Sequence, residues 1–415
     1  MRKLFLFTNE FPYGTWEPYL ETEIKYYNRF DKVYIIALQL RKEHAKTIRT
    51  LPDNVEVVPV YYAPKFIYLI NSIRVLFNVD LYRELKELYK SNRLGVSQIV
   101  SLFVYLSRAD YEARKIKDLI PKAEFKDSLF YSYRFEYQPY VAILLKRWLI
   151  LNNKIVSRAH RYDLYEDRRK NGYIPLRKIL LENINWVLPC SLDGVTYLNN
   201  CYPIYADKIK AAFLGTMDKG VEEYYSSDKF RIVSCSNVVE VKRLDLLIEA
   251  LANIQKHQIK WTHFGDGVLM EKIKKLAANL PANIEVDFRG NVANSTLMDD
   301  YKNNCYDLFV NLSSSEGIPV SIMEAMSFGI PCLATNAGGT GEIVEDGVCG
   351  TIIPVDISAN KVAENIVKYI NTNKEKYLQF RNNARVQWLE KFDSYRNYRV
   401  FIEKLINVCD MRNEE

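Results

Sequence analysis

The chain has 415 residues, 48 % hydrophobic and 26 % charged, with Gly and Pro together supplying only 30. Length alone suggests two or three domains of about 150 residues each, and this composition excludes disordered, collagen-like and disulfide-stapled classes. Lys and Arg outnumber Asp and Glu by 34 to 24 over residues 1–218 and are outnumbered by 23 to 27 over residues 219–415, so the net charge of +6 conceals a basic front half. Such a front half suits an anionic partner, either a membrane surface or a phosphorylated substrate. No nucleic-acid motif accompanies it, and nucleic acid is not an expected partner.

The opening MRKLFLFTNEFPYG reads as a first β-strand rather than an export signal, because the apolar run ends at Asn9 and Glu10. The longest apolar stretches, 99–106 and 141–151, fall short of the roughly 20 residues a spanning helix needs, and Lys146 and Arg147 break the second. Seven cysteines without CxxC spacing and four histidines at no ligand spacing predict a reducing, cytoplasmic compartment and no metal site.

In chain order, the strand candidates of the first half are 3–8, 32–38, 55–60, 128–132, 154–158 and 186–190. Those of the second half are 230–236, 259–265, 284–290, 307–313, 330–336 and 350–354. Amphipathic helical patterns separate them, which is the signature of βαβ units around parallel sheets. The fold class expected is α/β, with two doubly wound sheets. Residues 1–218 form one Rossmann-like domain and 229–393 the other, joined by the polar stretch 215–228. A helix within 394–415, with Ser394 as its N-cap, is expected to pack back on the first domain. Residues 62–125 form a helical insertion whose apolar faces either pack on the sheet or, with Tyr and Lys, present a basic face to anionic lipid.

The most specific segment is SSSEGIPVSIMEAMSFGIPCLATNAGG (313–339). A buried strand runs into small residues, Pro319 suits the first turn of a helix, and Gly329-Ile330-Pro331 stops it. The loop and the helix start therefore sit at the carboxyl end of a parallel strand, where open sheets bind ligands and free helix amides attract phosphate. Glu316 would project from the loop towards a sugar ring. Glu324 would reach two ribose hydroxyls from the helix. His160 follows a strand of the first half, flanked by Arg158 and Asp163, and Gly14 permits close backbone approach in the loop 9–17.

Together with FGDG (264–267), KRLDLLIEAL (242–251), EIVEDGVCG (342–350) and SRAHRYDLYED (157–167), this segment closely resembles the retaining glycosyltransferases of family 4, the glycosyl transferases group 1 of bacterial polysaccharide biosynthesis. The resemblance covers the second half and, more loosely, the first. It implies the GT-B fold, two Rossmann-like domains facing across a deep cleft that holds donor and acceptor. It implies that Glu316, His160 and Lys242 are catalytic: Glu316 and His160 at the donor sugar, Lys242 on the donor diphosphate. Glu324 would take the nucleotide ribose, and Ser315, Gly317, Ile318, Pro319 and Val320 would line the donor. Where the family usually has an Arg this chain has Asn237, so either Arg243 supplies a second positive charge or Lys242 and backbone suffice. Gly265, Asp266 and Gly267 would lie against the nucleotide and Arg289, Gly290 and Asn291 near the base. Gly14 and Glu17 would belong to the loop near acceptor and phosphates, with Glu17 an acceptor contact or a first-turn helix charge. Arg158 and Asp163 would fix or assist His160.

The activity that the resemblance implies is that of a retaining, metal-independent hexosyltransferase using a UDP- or GDP-linked donor as substrate, with no cofactor. Its acceptor would be a glycan or a polyprenyl-diphosphate-linked intermediate of capsule, exopolysaccharide or O-antigen assembly. It would work in the cytoplasm or peripherally at the inner face of the plasma membrane. The alternatives are a catalytically silent GT-B subunit that stabilises a partner transferase, and a sugar phosphorylase or epimerase on the same fold.

Overall fold

The computed structural model describes residues 1–410, and the chain divides into two compact units. The first comprises Met1–Ala212 and the residues from Tyr398 onward; the second comprises Phe213–Asn397. All twelve predicted strands are present, with ends displaced by at most two residues.

The first unit is a six-stranded, all-parallel sheet in the order β3-β2-β1-β4-β5-β6. Its strands are β1 (Lys3–Thr8), β2 (Lys32–Leu40), β3 (Val55–Tyr61), β4 (Ser128–Ser132), β5 (Lys154–Ala159) and β6 (Trp186–Pro189). The central strands β1 and β4 are apolar on both faces because layers cover both sides. One layer centres on Phe5, Phe7, Phe130 and Leu145, the other on Leu4, Leu6, Tyr131 and the C-terminal residues Phe401, Ile402 and Leu405. Each of those last three is fully or almost fully buried, worth about 1.5–3 kcal/mol apiece. The helix Ser394–Asp410 is thereby fixed to the first unit from Tyr398 on.

The insertion holds helices Lys65–Val75, Val79–Lys90 and Val96–Leu119. The helix Lys65–Val75 reverses the expectation that its apolar face packs inward. Asn71 and Val75 are its buried residues, and the Asn71 amide donates to the Ser107 carbonyl at 2.8 Å. Its aliphatic and aromatic stripe is exposed.

The second unit repeats the plan, with order β12-β11-β10-β7-β8-β9, again all parallel. Its strands are β7 (Phe230–Cys235), β8 (Ile259–Phe264), β9 (Ile284–Gly290), β10 (Leu308–Asn311), β11 (Cys332–Thr335) and β12 (Gly350–Ile353). The stretch 215–228, expected to be a linker, is fastened to this unit. The buried Trp388 indole donates to Thr216 at 2.7 Å, Arg385 pairs with Asp218 at 2.6 Å, and Tyr224 donates to Asp307 at 2.7 Å. In each sheet the strand order reverses once, between β1 and β4 in the first and between β7 and β10 in the second. Loops leaving the carboxyl ends of those two neighbours splay apart there and leave a crevice for a ligand.

Candidate active site

In the second unit the reversal point is occupied by charge. Lys242 ends a short turn, Glu240–Lys242, after β7, and Glu316 sits in the loop after β10. The Lys242 Nζ lies 2.5 Å from Glu316 Oε1. Asn311, the buried last residue of β10, donates its amide to the same oxygen at 3.4 Å. The two loops are also sewn together by the Ser314 amide, which donates to the Val241 carbonyl at 2.9 Å. Two residues that sequence reasoning missed seat Glu316. Gly338 has φ +53°, and a Cβ there would stand 2.1 Å from the Glu316 carbonyl oxygen, so only glycine fits. The Gly339 amide then donates to the Gly317 carbonyl at 2.7 Å. The paired glycines in NAGG were the available signal.

Pro319 stands just before the helix Val320–Ser327 rather than inside its first turn, so the amides after it face the loop of Ser315, Gly317 and Ile318 without a side-chain cap. Glu324 lies in the second turn. Its carboxylate accepts from the Asn294 amide at 2.7 Å, and burial pushes its pKa up to about 7 against that hydrogen bond. Asn294 begins the helix Asn294–Asn303, close after Arg289, Gly290 and Asn291, and was not singled out by sequence.

Arg243 is tied to backbone by two of its three nitrogens. Its residue adopts φ +48°, and its guanidinium donates to the Leu312 and Val355 carbonyls, both at 2.6 Å, which commits it to holding the strand ends together. Asn237 is exposed and contributes no cation. Gly265 and Gly267 are required by the packing of two loops. A Cβ on Gly265 would lie 1.9 Å from the Ser236 carbonyl, and one on Gly267 would lie 2.5 Å from that of Val238. The glycines let the loop after β8 lie against the loop after β7, closed by Val238 N–H to Asp266 O at 2.9 Å. The Asp266 side chain accepts only the next amide, Gly267, at 2.7 Å. Arg289 pairs with Asp287 at 2.7 Å at the exposed end of β9, Gly290 takes φ +64°, and Asn291 is exposed.

In the first unit His160 follows β5 and Cys190 follows β6, adjacent because Ala159 stands opposite Pro189. The Cys190 amide donates to the Ala159 carbonyl at 3.2 Å. The His160 ring packs on Tyr133 with centroids 4.6 Å apart, and its Nδ1 lies 3.7 Å from Asp163. Burial would lower the His160 pKa, but Cys190 and Asp163 outweigh it and hold it up at about 9. Burial correspondingly opposes ionisation of the Cys190 thiol, and His160 and Arg158 overcome it, so the thiol lies below its usual range. Asp163 is a fixing residue. Its carboxylate accepts the His160 amide at 2.5 Å and the Phe135 amide at 2.8 Å.

Arg158 and Glu17 face away from any ligand role. Arg158 is fully buried, 3.2 Å from Glu23, donating to Tyr131 at 3.1 Å and stacked 4.1 Å from the Phe401 ring. It alternates to the opposite face of the strand from its neighbours. Glu17 is buried with φ +55°, and its carboxylate accepts the amides of Asn9 at 3.0 Å and Phe11 at 3.1 Å. That folds the loop 9–17 on itself, with Gly14 at φ +58° and its carbonyl held by Arg49 at 2.9 Å. A pocket of about 300 Å³ in the first unit is lined among others by Tyr105, Tyr162, Tyr173, Arg169 and Lys170.

A reversal point bearing a lysine, a loop carboxylate and a helix carboxylate suits a charged, polyhydroxylated ligand, and the family model of glycosyl transferases group 1 matches residues 222–387. The match lies wholly within the second unit. N-acetyl-alpha-D-glucosaminyl L-malate synthase of Bacillus anthracis is 30 % identical over 178 residues, 42 % of this chain and 44 % of that protein. A glycosyltransferase from Rickettsia africae superposes with a TM-score of 0.71 at 16 % identity over 99 % of both chains. HepE of Anabaena, in complex with UDP and glucose, superposes with a TM-score of 0.67 at 19 % identity, covering 98 % of this chain and 100 % of that one. The fold class is thus α/β, of the GT-B glycosyltransferases. The chain spans less than half the length of the curated relatives it matches first. The match to the group 1 domain contains Lys242, Glu316, Glu324 and Asn294, and leaves His160 outside.

Proposed function

We propose that this protein is a retaining, nucleotide-sugar-dependent glycosyltransferase whose donor is held by the second unit. The observation that carries the reading is the Lys242–Glu316 pair at the point where the strand order of that sheet reverses. Lys242 would hold the diphosphate, together with the uncapped amides of the helix Val320–Ser327. Negative charge builds there as the bond from the sugar carbon to the diphosphate oxygen breaks, and a fixed ammonium stabilises it. This assignment asks for no divalent ion. The acceptor oxygen bonds to the same sugar carbon on the same face, and its proton passes to the departing diphosphate. Glu316 would stand at the sugar, and Glu324 would accept from the ribose hydroxyls. In the first unit His160, cationic at neutral pH through Cys190 and Asp163, is the candidate catalytic residue.

The relatives support a UDP-linked donor, since HepE is in complex with UDP and glucose. The acceptor we propose is a glycan or a polyprenyl-diphosphate-linked intermediate of cell-surface polysaccharide assembly, handled in the cytoplasm. The basic first half favours an anionic acceptor, and the pocket of Tyr105, Tyr162, Tyr173, Arg169 and Lys170 offers stacking faces and cations for one.

The second reading, a silent subunit that stabilises a partner transferase, is favoured by one observation: an uncharged Asn237 stands where the resembled family usually has an Arg, and Arg243 donates to two backbone carbonyls. Release of UDP or GDP from a panel of nucleotide sugars, with and without an extract of lipid-linked glycans, separates the two. Acceptor-dependent release of one diphosphate supports the enzyme. Binding of a nucleotide without any release supports the silent subunit.

A further inference from the structure

The helix Lys65–Val75 carries its apolar residues on the side away from the protein. Phe66, Leu69, Ile70 and Ile73 are 61, 73, 63 and 62 % exposed, and Phe77, just after the helix, is 87 % exposed. Their spacing of three and four residues makes one continuous ridge. The opposite side, which packs on the helix Val96–Leu119, holds Val75 in the core, the Tyr68 ring against Tyr111, and Asn71, which donates to Ser107, whose hydroxyl donates to the Tyr68 carbonyl at 2.5 Å. Scattered surface apolar residues are ordinary, but a contiguous ridge of five large apolar side chains, each more than 60 % exposed, is not.

Charge says what covers the ridge. Lys65 and Arg74 flank it, and Lys86 and Lys90 project from the next helix. Among the described residues none of these four is paired with a carboxylate, whereas Arg83 and Arg93 are paired with Glu182 and Glu166. The acidic residues of the same segment are withdrawn: Asp80 and Glu84 are buried and Glu87 pairs with Lys178. Exposed Tyr82 and Tyr89 stand among the lysines. An apolar ridge with cations at its margin and aromatic hydroxyls beside it is complementary to an anionic lipid interface, where apolar side chains enter the acyl boundary and lysines meet phosphate. Among the described residues no helix is long and apolar enough to cross a membrane. At 11 residues this one is about 16 Å long and suits lying in the plane of the surface.

We propose that the ridge Phe66–Leu69–Ile70–Ile73–Phe77, with Lys65, Arg74, Lys86 and Lys90, docks the first unit on an anionic membrane. The inference stands on the first unit alone and survives or fails independently of the donor reading.

The test is flotation of the full chain with vesicles of phosphatidylcholine, with and without phosphatidylglycerol, alongside sedimentation velocity over a range of concentrations. Wild type should float with the anionic vesicles at least about tenfold more than with the neutral ones. The exposed substitutions Ile70→Glu with Phe77→Glu should abolish flotation, and Lys65→Glu with Arg74→Glu should reduce it and remove its salt dependence. Stabilisation by UDP, measured on the same samples, should be the same in every variant, which separates loss of docking from loss of fold and from failure of the donor reading. Wild type that stays behind with anionic vesicles overturns the proposal. So does a concentration-dependent dimer broken by Ile70→Glu with Phe77→Glu, which would assign the ridge to a second copy of the chain.

Discussion

Lys242 and Glu316, 74 residues apart in sequence, meet at 2.5 Å because β7 and β10 are neighbours whose following helices depart in opposite directions. An ammonium paired with a carboxylate in a loop still has two N–H donors to offer a diphosphate. In the proposed function the pair would couple the phosphate end of the donor to the sugar end. Lys242→Ala and Glu316→Gln should each lower turnover by roughly 100-fold or more. The double variant should be little worse than the worse single one, since the two act as a unit. Steady-state kinetics on the four proteins of the cycle checks this, and additive losses would separate the two roles.

Glu324 makes the free protein sensitive to pH. Its carboxyl is raised by burial to about 7, so between its ordinary value and 7 the folded state holds a proton that the unfolded state has lost. Stability of the nucleotide-free protein should accordingly fall as pH rises from about 4.5 to 7. Glu324→Gln should flatten that slope while weakening nucleotide binding. Asn294→Ala, which removes the one hydrogen bond favouring the charged form, should move the slope to higher pH. Thermal melts across that range read all three.

His160 carries the same sign in a higher window. Its pKa is raised to about 9, so the stabilisation it draws from Cys190 and Asp163 is complete below about 6.5 and is lost as pH rises through 9. The alkaline limb of the activity profile should track that loss. Cys190→Ser, which takes away the larger of the raising influences, should bring that limb to lower pH. His160→Ala should cut turnover by roughly 100-fold with unchanged affinity for the free nucleotide, because the nucleotide is assigned to the second unit.

Arg158 is a structural residue beside His160. Replacing it with Met leaves the Glu23 carboxylate buried without its cation, which costs about 3–5 kcal/mol. Denaturant unfolding should register that loss in full. Whatever folded protein remains should bind UDP with wild-type affinity.

The parallel strands were legible because β1 KLFLFT, β4 SLFYS and their counterparts are apolar on both faces, and only a strand between two helical layers reads that way. Glu316 and Glu324 stood out because a strand, a small-residue loop, a proline and a helix stop fall in fixed order around them, whereas Lys242 was singled out only through the resemblance. Arg243 was not, since its carbonyl partners Leu312 and Val355 lie 69 and 112 residues away and come into reach only once β10 and β12 are in place. Glu17 and Arg158 have the residue types of a site and the surroundings of a core, a distinction set by which side of the backbone each occupies. The helix Lys65–Val75 shows the same limit in reverse: its periodicity announces an apolar face, and only the Asn71–Ser107 contact reveals that this face is the outer one.

The central claim, that Lys242 holds the diphosphate of a nucleotide donor, is tested most directly by thermal shift with UDP, GDP, ADP and CMP on wild type and Lys242→Ala. A ligand at a hundred times its dissociation constant stabilises by about 2.7 kcal/mol, well within reach of a melt. The expected result is a clear shift with one diphosphate, UDP foremost, little with CMP, and loss of the shift in Lys242→Ala. An equal shift in wild type and Lys242→Ala, or none with any nucleotide, would contradict the claim.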